Sequence, residues 1–241
     1  MPERLDKILA TQGIGTRTQV KALIKRGAVT VNNIVCRKSD SKAEPESDII
    51  KINGKKLEFK KHIYIMMNKP AGVLSASTDK KAKTVIDLLP PELKRKGLFP
   101  AGRLDKDTEG LLIITDDGEF AHNMLHPKKK VYKLYYAEVD NPVNPEDIEE
   151  FKKGIVLRDG TECMPAELSL CENTNSCNIF VKICEGKFHQ VKKMLLSRGK
   201  FVEYLKRISI GALKLDENLV QGCCKELTIE EANKVFLDNI N

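Results

Sequence analysis

Beyond Ile63 the chain never keeps one hydrophobic period for long, and this alternation constrains its fold more than any other feature. Short apolar runs ("IYIMMNK", "LLIITD", "YKLYYAEV", "NIFVKIC", "EYLKRISI") read as strands. Between them lie stretches of helical period: "TVIDLLPPEL", "GEFAHNML", "PEDIEEFKKG", "FHQVKKMLLSRG" and "TIEEANKVFLDN". No G-x-G-x-x-G follows a strand and no P-loop occurs, so nucleotide cofactors have no visible seat. The pattern predicts an α+β body on a mixed or antiparallel sheet over residues 63–241. At 241 residues the chain accommodates that body and one small domain.

The small domain is expected over residues 1–60. In "RLDKILATQG", Leu5, Ile8 and Leu9 share a helical face, and Val20, Leu23 and Ile24 repeat the spacing in "TRTQVKALIKRG". Thr16 with Gln19 makes a capping box, and Gly27 supplies a stop. The far face of this second helix carries Arg17, Lys21, Lys25 and Arg26. "AVTVNNIVC" alternates around Asn32-Asn33 as a hairpin does, "RKSDSKAEPESD" reads as a loop, and "IIKINGKKLEF" turns at Asn53-Gly54.

Charge separates the two parts. Residues 1–62 hold 14 Lys and Arg against 7 Asp and Glu, and the rest holds 27 of each, so the whole excess of +7 sits in the first quarter. A small basic module on a neutral body is the footprint of polyanion binding, here RNA bound by one helix face. With 41% apolar and 31% charged residues, no apolar run of membrane-spanning length and no apolar signal core at the start, a soluble cytoplasmic protein is expected. The seven cysteines are scattered, odd in number and never spaced Cys-x-x-Cys, which fits free thiols in a reducing compartment.

Against this basic balance, "AGRLDKDTEGLLIITDDG" gathers five acids: Asp105, Asp107, Glu109, Asp116 and Asp117. They match several calcium-loop positions, but Ile113 and Asp116 stand where ligands of another kind belong, and Pro100 and Gly102 break the entering helix, so no metal is expected. Asp116-Asp117-Gly118 is ordinary turn chemistry. "GRLD", at the mouth of the apolar run "LLII", is less ordinary, because it holds charge against a low-dielectric floor.

Three blocks in register, "AGRLDKDTEGLLIITDDGEFAH", "HPKKKVYKLYYAEV" and "EGKFHQVKKMLLSRGKFVEYLKRISIGALKL", resemble pseudouridine synthases. The branch is the one acting on ribosomal RNA through an N-terminal ribosomal-protein-like RNA-binding module. The resemblance implies no cofactor, since uracil is both leaving group and nucleophile. It implies Asp105 as the carboxylate acting near the anomeric carbon, Tyr135 as the ring stacking on the target base, and Lys192 as the cation beside Asp105. Arg103, set on the side away from Asp105, is expected to support the flipped-out nucleotide, the alternatives being a phosphate clamp or a surface ion pair. Lys193 and Arg207, with Lys128–Lys130, are expected to line an RNA groove.

Phe188, Val191, Met194 and Leu195 are expected to form one apolar helix stripe. His126 and His189, taken as lone histidines without His-x-x-x-His partners, are assigned structural or RNA-contacting roles. "GKFHQVKKM" is nearer the small-subunit (16S) type than the large-subunit (23S) type. The expectation is therefore a monomeric enzyme that isomerises a uridine of 16S rRNA, naked or in an assembly intermediate. The alternatives are a 23S target and a non-catalytic ribosome-assembly factor.

Overall fold

The computed structural model of the chain describes residues 2–172 and 176–237. They form two compact units, one of Met1–Ile63 with Pro90–Leu98 and one of Tyr64–Leu89 with Phe99–Asn241.

In the first unit, β1 (Glu3–Arg4) leads into α1 (Leu5–Thr11), and α2 (Arg17–Lys25) follows. Leu5, Ile8, Leu9, Val20 and Ile24 are all buried in one apolar cluster, as their spacing requires. The capping box is present: the Thr16 hydroxyl accepts from the Gln19 N–H, and the Gln19 side chain accepts from the Thr16 N–H. β2 (Val29–Val31) and β3 (Ile34–Cys36) turn at Asn32 and Asn33, with φ of 50° and 66°. Part of the expected polar loop instead forms β4 (Lys42–Ala43), which pairs with β1. β5 (Ile50–Ile52) and β6 (Lys55–Lys56) complete an antiparallel sheet of order β3-β2-β5-β6.

The excursion Pro90–Leu98 belongs to this unit, where the sequence placed it in the body. Arg95 is the reason, since its guanidinium donates to the carbonyls of Lys60 and Lys61 at 3.0 and 2.9 Å. "TVIDLLPPEL" is therefore no helix. The Asp87 carboxylate does accept from the Thr84 N–H and hydroxyl as a cap would, but Pro90 and Pro91 follow and only a 3-10 turn, Pro91–Leu93, forms.

The second unit is built on a nine-stranded mixed sheet. Its elements are β7 (Tyr64–Lys69), β8 (Phe99–Ala101), β9 (Glu109–Thr115), α3 (Gly118–Leu125), β10 (Lys133–Val139), α4 (Pro145–Lys153), β11 (Glu167–Leu170), β12 (Asn178–Ile183), α5 (Gln190–Ser197), β13 (Val202–Ile210), β14 (Leu213–Lys214), β15 (Cys224–Leu227) and α6 (Ile229–Asn233). The order is β11-β12-β10-β13-β9-β7-β15, with β8 on β9 and β14 on β13. The expected C-terminal helix extends to Asp238 and Asn239, which lie outside the described residues.

Every pairing in this sheet is antiparallel except β13 on β9, which is parallel. Gly110 makes that junction possible. Its φ is 98°, and a Cβ there would lie 2.2 Å from the Arg207 carbonyl oxygen.

Candidate active site

The loop from Gly102 to Thr108 joins β8 to β9, and its backbone is held from beneath. Lys69 ends β7 with no solvent exposure, and its ammonium donates to the carbonyls of Pro70, Asp105, Lys106 and Thr108 at 2.9–3.2 Å. The Ser75 hydroxyl donates to the Leu104 carbonyl and accepts from the Leu104 N–H. The Gly72 N–H reaches the Lys106 carbonyl at 2.7 Å. Buried main-chain groups need partners, and here those partners fix the residues flanking Asp105. Burial pushes the Lys69 pKa down to about 8, while the carboxylates of Asp107, Asp105 and Glu109 pull it upward.

The acids of the loop do not converge on one point, as a calcium loop would require. Asp107 accepts from the Lys192 ammonium at 2.6 Å, which holds its carboxyl below the usual range. Glu109 accepts from the Tyr204 phenol at 2.8 Å. Asp117 caps α3 through the Phe120 N–H and also accepts from the Tyr64 phenol. Asp105 is left facing a pocket that Arg103, Tyr135, His189, Gln190 and Lys192 also line. Lys192 Nζ stands 3.9 Å from Asp105 Oδ2, and His189 Nε2 stands 3.6 Å from Oδ1. Lys192 thus serves two carboxylates, with its short hydrogen bond on Asp107.

Tyr135 faces this pocket from β10, and a cation supports it from behind. Arg207 of β13 is only 4% exposed; it donates from Nε to the Leu111 carbonyl at 2.8 Å and from one terminal nitrogen to the Tyr135 phenol oxygen at 3.4 Å. Its charge lies 5.9 Å from the Tyr135 ring centre. Lys133, two residues before Tyr135 and also buried, is pushed down to about 8 by burial and by the Arg207 charge.

The opposite wall is the entry to α5. Glu185 accepts from the Met164 N–H and from the Gln190 amide, both at 2.8 Å, and the Gln190 carbonyl oxygen accepts from the Lys187 N–H. His189 then takes a left-handed conformation, φ 52° and ψ 34°, and α5 begins one residue later.

A family model described as RNA pseudouridylate synthase matches residues 63–197, the span that holds Asp105, Tyr135 and Lys192, and an S4 domain model matches residues 3–50. The chain belongs to the RNA pseudouridylate synthase family. A Bacillus subtilis (strain 168) protein named uncharacterized RNA pseudouridine synthase YtzG is 43% identical over 95% of this chain and 96% of its own length. Ribosomal small subunit pseudouridine synthase A of Vibrio vulnificus is 38% identical over 97% and 99%, and ribosomal large subunit pseudouridine synthase B of Bacillus subtilis is 36% identical over 97% and 95%. A crystal structure of a pseudouridylate synthase superposes with a TM-score of 0.67 at 32% identity, covering 97% of this chain and 99% of that one.

In this synthase the pocket gathers Arg103, Asp105, Tyr135 and Lys192. Arg103 and Asp105 line the same pocket and not opposite sides as expected; an extended chain repeats a face every second residue, so the shared side is the consistent one. Arg207 is not in an RNA groove: burial places it behind Tyr135 as that ring's support. Lys193 is half-buried and pairs with Asp159 at 3.1 Å. Phe188 is outside the α5 stripe and 71% exposed.

In the first unit, Arg17, Lys21, Lys25 and Arg26 are all exposed. His126 does have a partner four residues earlier. The His122 and His126 rings lie 5.2 Å apart, with His126 Nδ1 accepting from the Lys128 N–H. Among the described residues, no group of three or more His, Cys, Asp or Glu is placed to hold a metal, and no helix is long and apolar enough to cross a membrane. Sequence reasoning missed Lys69, Ser75 and Gln190. A lysine closing an otherwise apolar strand is the one signal that could have marked Lys69.

Proposed function

We propose that the synthase converts a uridine of ribosomal RNA to pseudouridine, and that this RNA is the small-subunit 16S species. The observation that carries the reading is Asp105, its main chain fixed by Lys69 and its carboxylate 3.9 Å from the Lys192 ammonium in a pocket with Tyr135. In the isomerisation the C1′–N1 bond breaks, uracil turns, and a C1′–C5 bond forms; N1 gains a proton and C5 loses one. Asp105 supplies the carboxylate at the sugar, and Lys192 compensates its charge. Tyr135 offers the base a ring to stack on while it is detached, and Arg207 holds that ring. Arg103, exposed at the pocket rim, stands where an extruded nucleotide would need support. The basic helix face of the first unit holds the RNA backbone, with the protein acting as a monomer in the cytoplasm.

Support for the small-subunit choice is the "GKFHQVKKM" segment and the likeness to the Vibrio enzyme. The test incubates purified protein with unmodified 16S and 23S transcripts and maps pseudouridine by carbodiimide-blocked primer extension. The expected result is one stop in 16S RNA, lost by at least about 10²-fold in Asp105→Asn, the scale of a missing acid–base group. A stop confined to 23S RNA replaces the 16S assignment. RNA binding without product from both proteins would leave an assembly factor instead.

A further inference from the structure

We propose that Phe188 and His189 form a stacking platform for the unpaired nucleobase next to the target uridine. This rests on the uridine reading above and adds a second base-binding position to it. The two rings are parallel neighbours, with centres 3.8 Å apart and planes at 20°. At the inner end, His189 Nε2 is 3.6 Å from the Asp105 carboxylate, too long for a hydrogen bond that would tie up the imidazole. At the outer end, Phe188 stands 71% exposed. Two short steps therefore lead from the reacting carboxylate to an apolar ring in water.

Folding does not explain that exposure. Phe188 precedes α5 and takes no place in the buried stripe of Val191, Met194 and Leu195. The left-handed turn at His189 ends the preceding segment before the helix phase can carry Phe188 inward, and a non-glycine residue held there is a cost that functional sites tend to retain. The surroundings select the partner. Lys193 Nζ lies 5.5 Å from the Phe188 ring centre, and Lys187 and Lys192 line the adjoining pocket; each of these lysines is paired with a carboxylate (Asp159, Glu185 and Asp107), so they offer a phosphate ammonium donors whose charge is already partly offset. Aromatic rings among lysines, continuous with a pocket for one extruded base, fit single-stranded RNA better than an apolar protein surface. The base in question is the neighbour of the extruded uridine, which loses its own stacking partner when that uridine leaves.

The test uses a short RNA stem-loop cut from the transcript region the native protein modifies, with the nucleotide on one side of the uridine, then the other, replaced by an abasic spacer. Equilibrium binding and the single-turnover rate at saturating protein are measured for the native protein, Phe188→Ala and Phe188→Tyr. Loss of one base stack is expected to weaken Phe188→Ala binding about 5- to 100-fold, with the saturating rate within about twofold, and Phe188→Tyr should restore binding. An abasic neighbour on one side should weaken native binding by a similar factor and add little in Phe188→Ala, the coupling that marks direct contact. If Phe188→Ala and both spacers weaken binding independently, or if Phe188→Ala slows the saturated rate without weakening binding, the platform is wrong while the uridine reading stands. If the native protein makes no pseudouridine in any ribosomal transcript, both fall together.

Discussion

The two walls of the pocket are built on opposite plans. The Asp105 loop has its main chain held from below by Lys69, Ser75 and Gly72, with Leu104 and Thr108 buried on either side of the acid. The segment from Lys187 to Lys193 holds its backbone with Glu185 and Gln190 but leaves ring and ammonium groups at the solvent edge. A reacting oxygen must be placed to a fraction of an ångström, whereas a contact with a flexible polyanion gains from side chains that can follow it. Rigidity at the carboxylate and adaptability at the rim therefore coexist within one pocket.

Breaking the rigid wall should have the largest effect. Lys69→Met leaves the Pro70 and Thr108 carbonyls without their shared donor, although the Lys106 and Asp105 carbonyls keep the Gly72 and Thr108 N–H groups. Removing a buried charge offsets part of that loss, so a net cost of about 2 kcal/mol is expected, lowering Tm by roughly 4–8 °C. The misplaced acid should cost about 10²-fold in kcat by the positioning argument, a barrier of comparable size at about 2.7 kcal/mol. Calorimetry and single-turnover rates check the two together; a kcat within threefold of native would show that the loop does not depend on its cation.

The same lysine makes the rigid wall sensitive to pH. A neutral amine has two N–H groups for four carbonyls, so activity should fall as pH rises through about 8. Stability should move the other way. The folded value lies below the ordinary 10.5, so between pH 8 and 10.5 the unfolded chain binds more protons and this group's contribution to stability grows with pH. Lys133 carries the same sign. A pH–rate profile with a descending limb near 8 that persists in Lys133→Met assigns the limb to Lys69, and its disappearance there would assign it to Lys133.

At the junction of the walls the effect should be smallest. Asp107→Asn removes the short partner of Lys192 and releases the ammonium toward Asp105, and because Asp107 is exposed the gain in kcat should stay below about fivefold. A loss beyond tenfold in single-turnover assays would instead put Asp107 in the chemistry.

Local signals carried much of the fold into the sequence. Thr16 with Gln19, Asn32-Asn33 and Asn53-Gly54 mark caps and turns whose partners lie within a few residues. The motif blocks single out Asp105, Tyr135 and Lys192, and the structure brings all three to the lining of one pocket. What escaped depends on distant partners or on helix phase. Lys69 bonds carbonyls 36 to 39 residues ahead. Arg207 looked like one more base in a basic stretch, yet its strand register faces it inward toward Tyr135. Phe188 was assigned to the α5 stripe because period alone cannot see the left-handed residue that starts the helix after it.

The missing Cβ at Gly110 has a practical consequence for mutational maps of this enzyme. Any side chain there would wedge apart the strands that present Asp105 on one side and the Arg207–Tyr135 pair on the other. Turnover would vanish at a position that meets no nucleotide, and a scan scored by lost product alone would place the RNA where only two backbones touch.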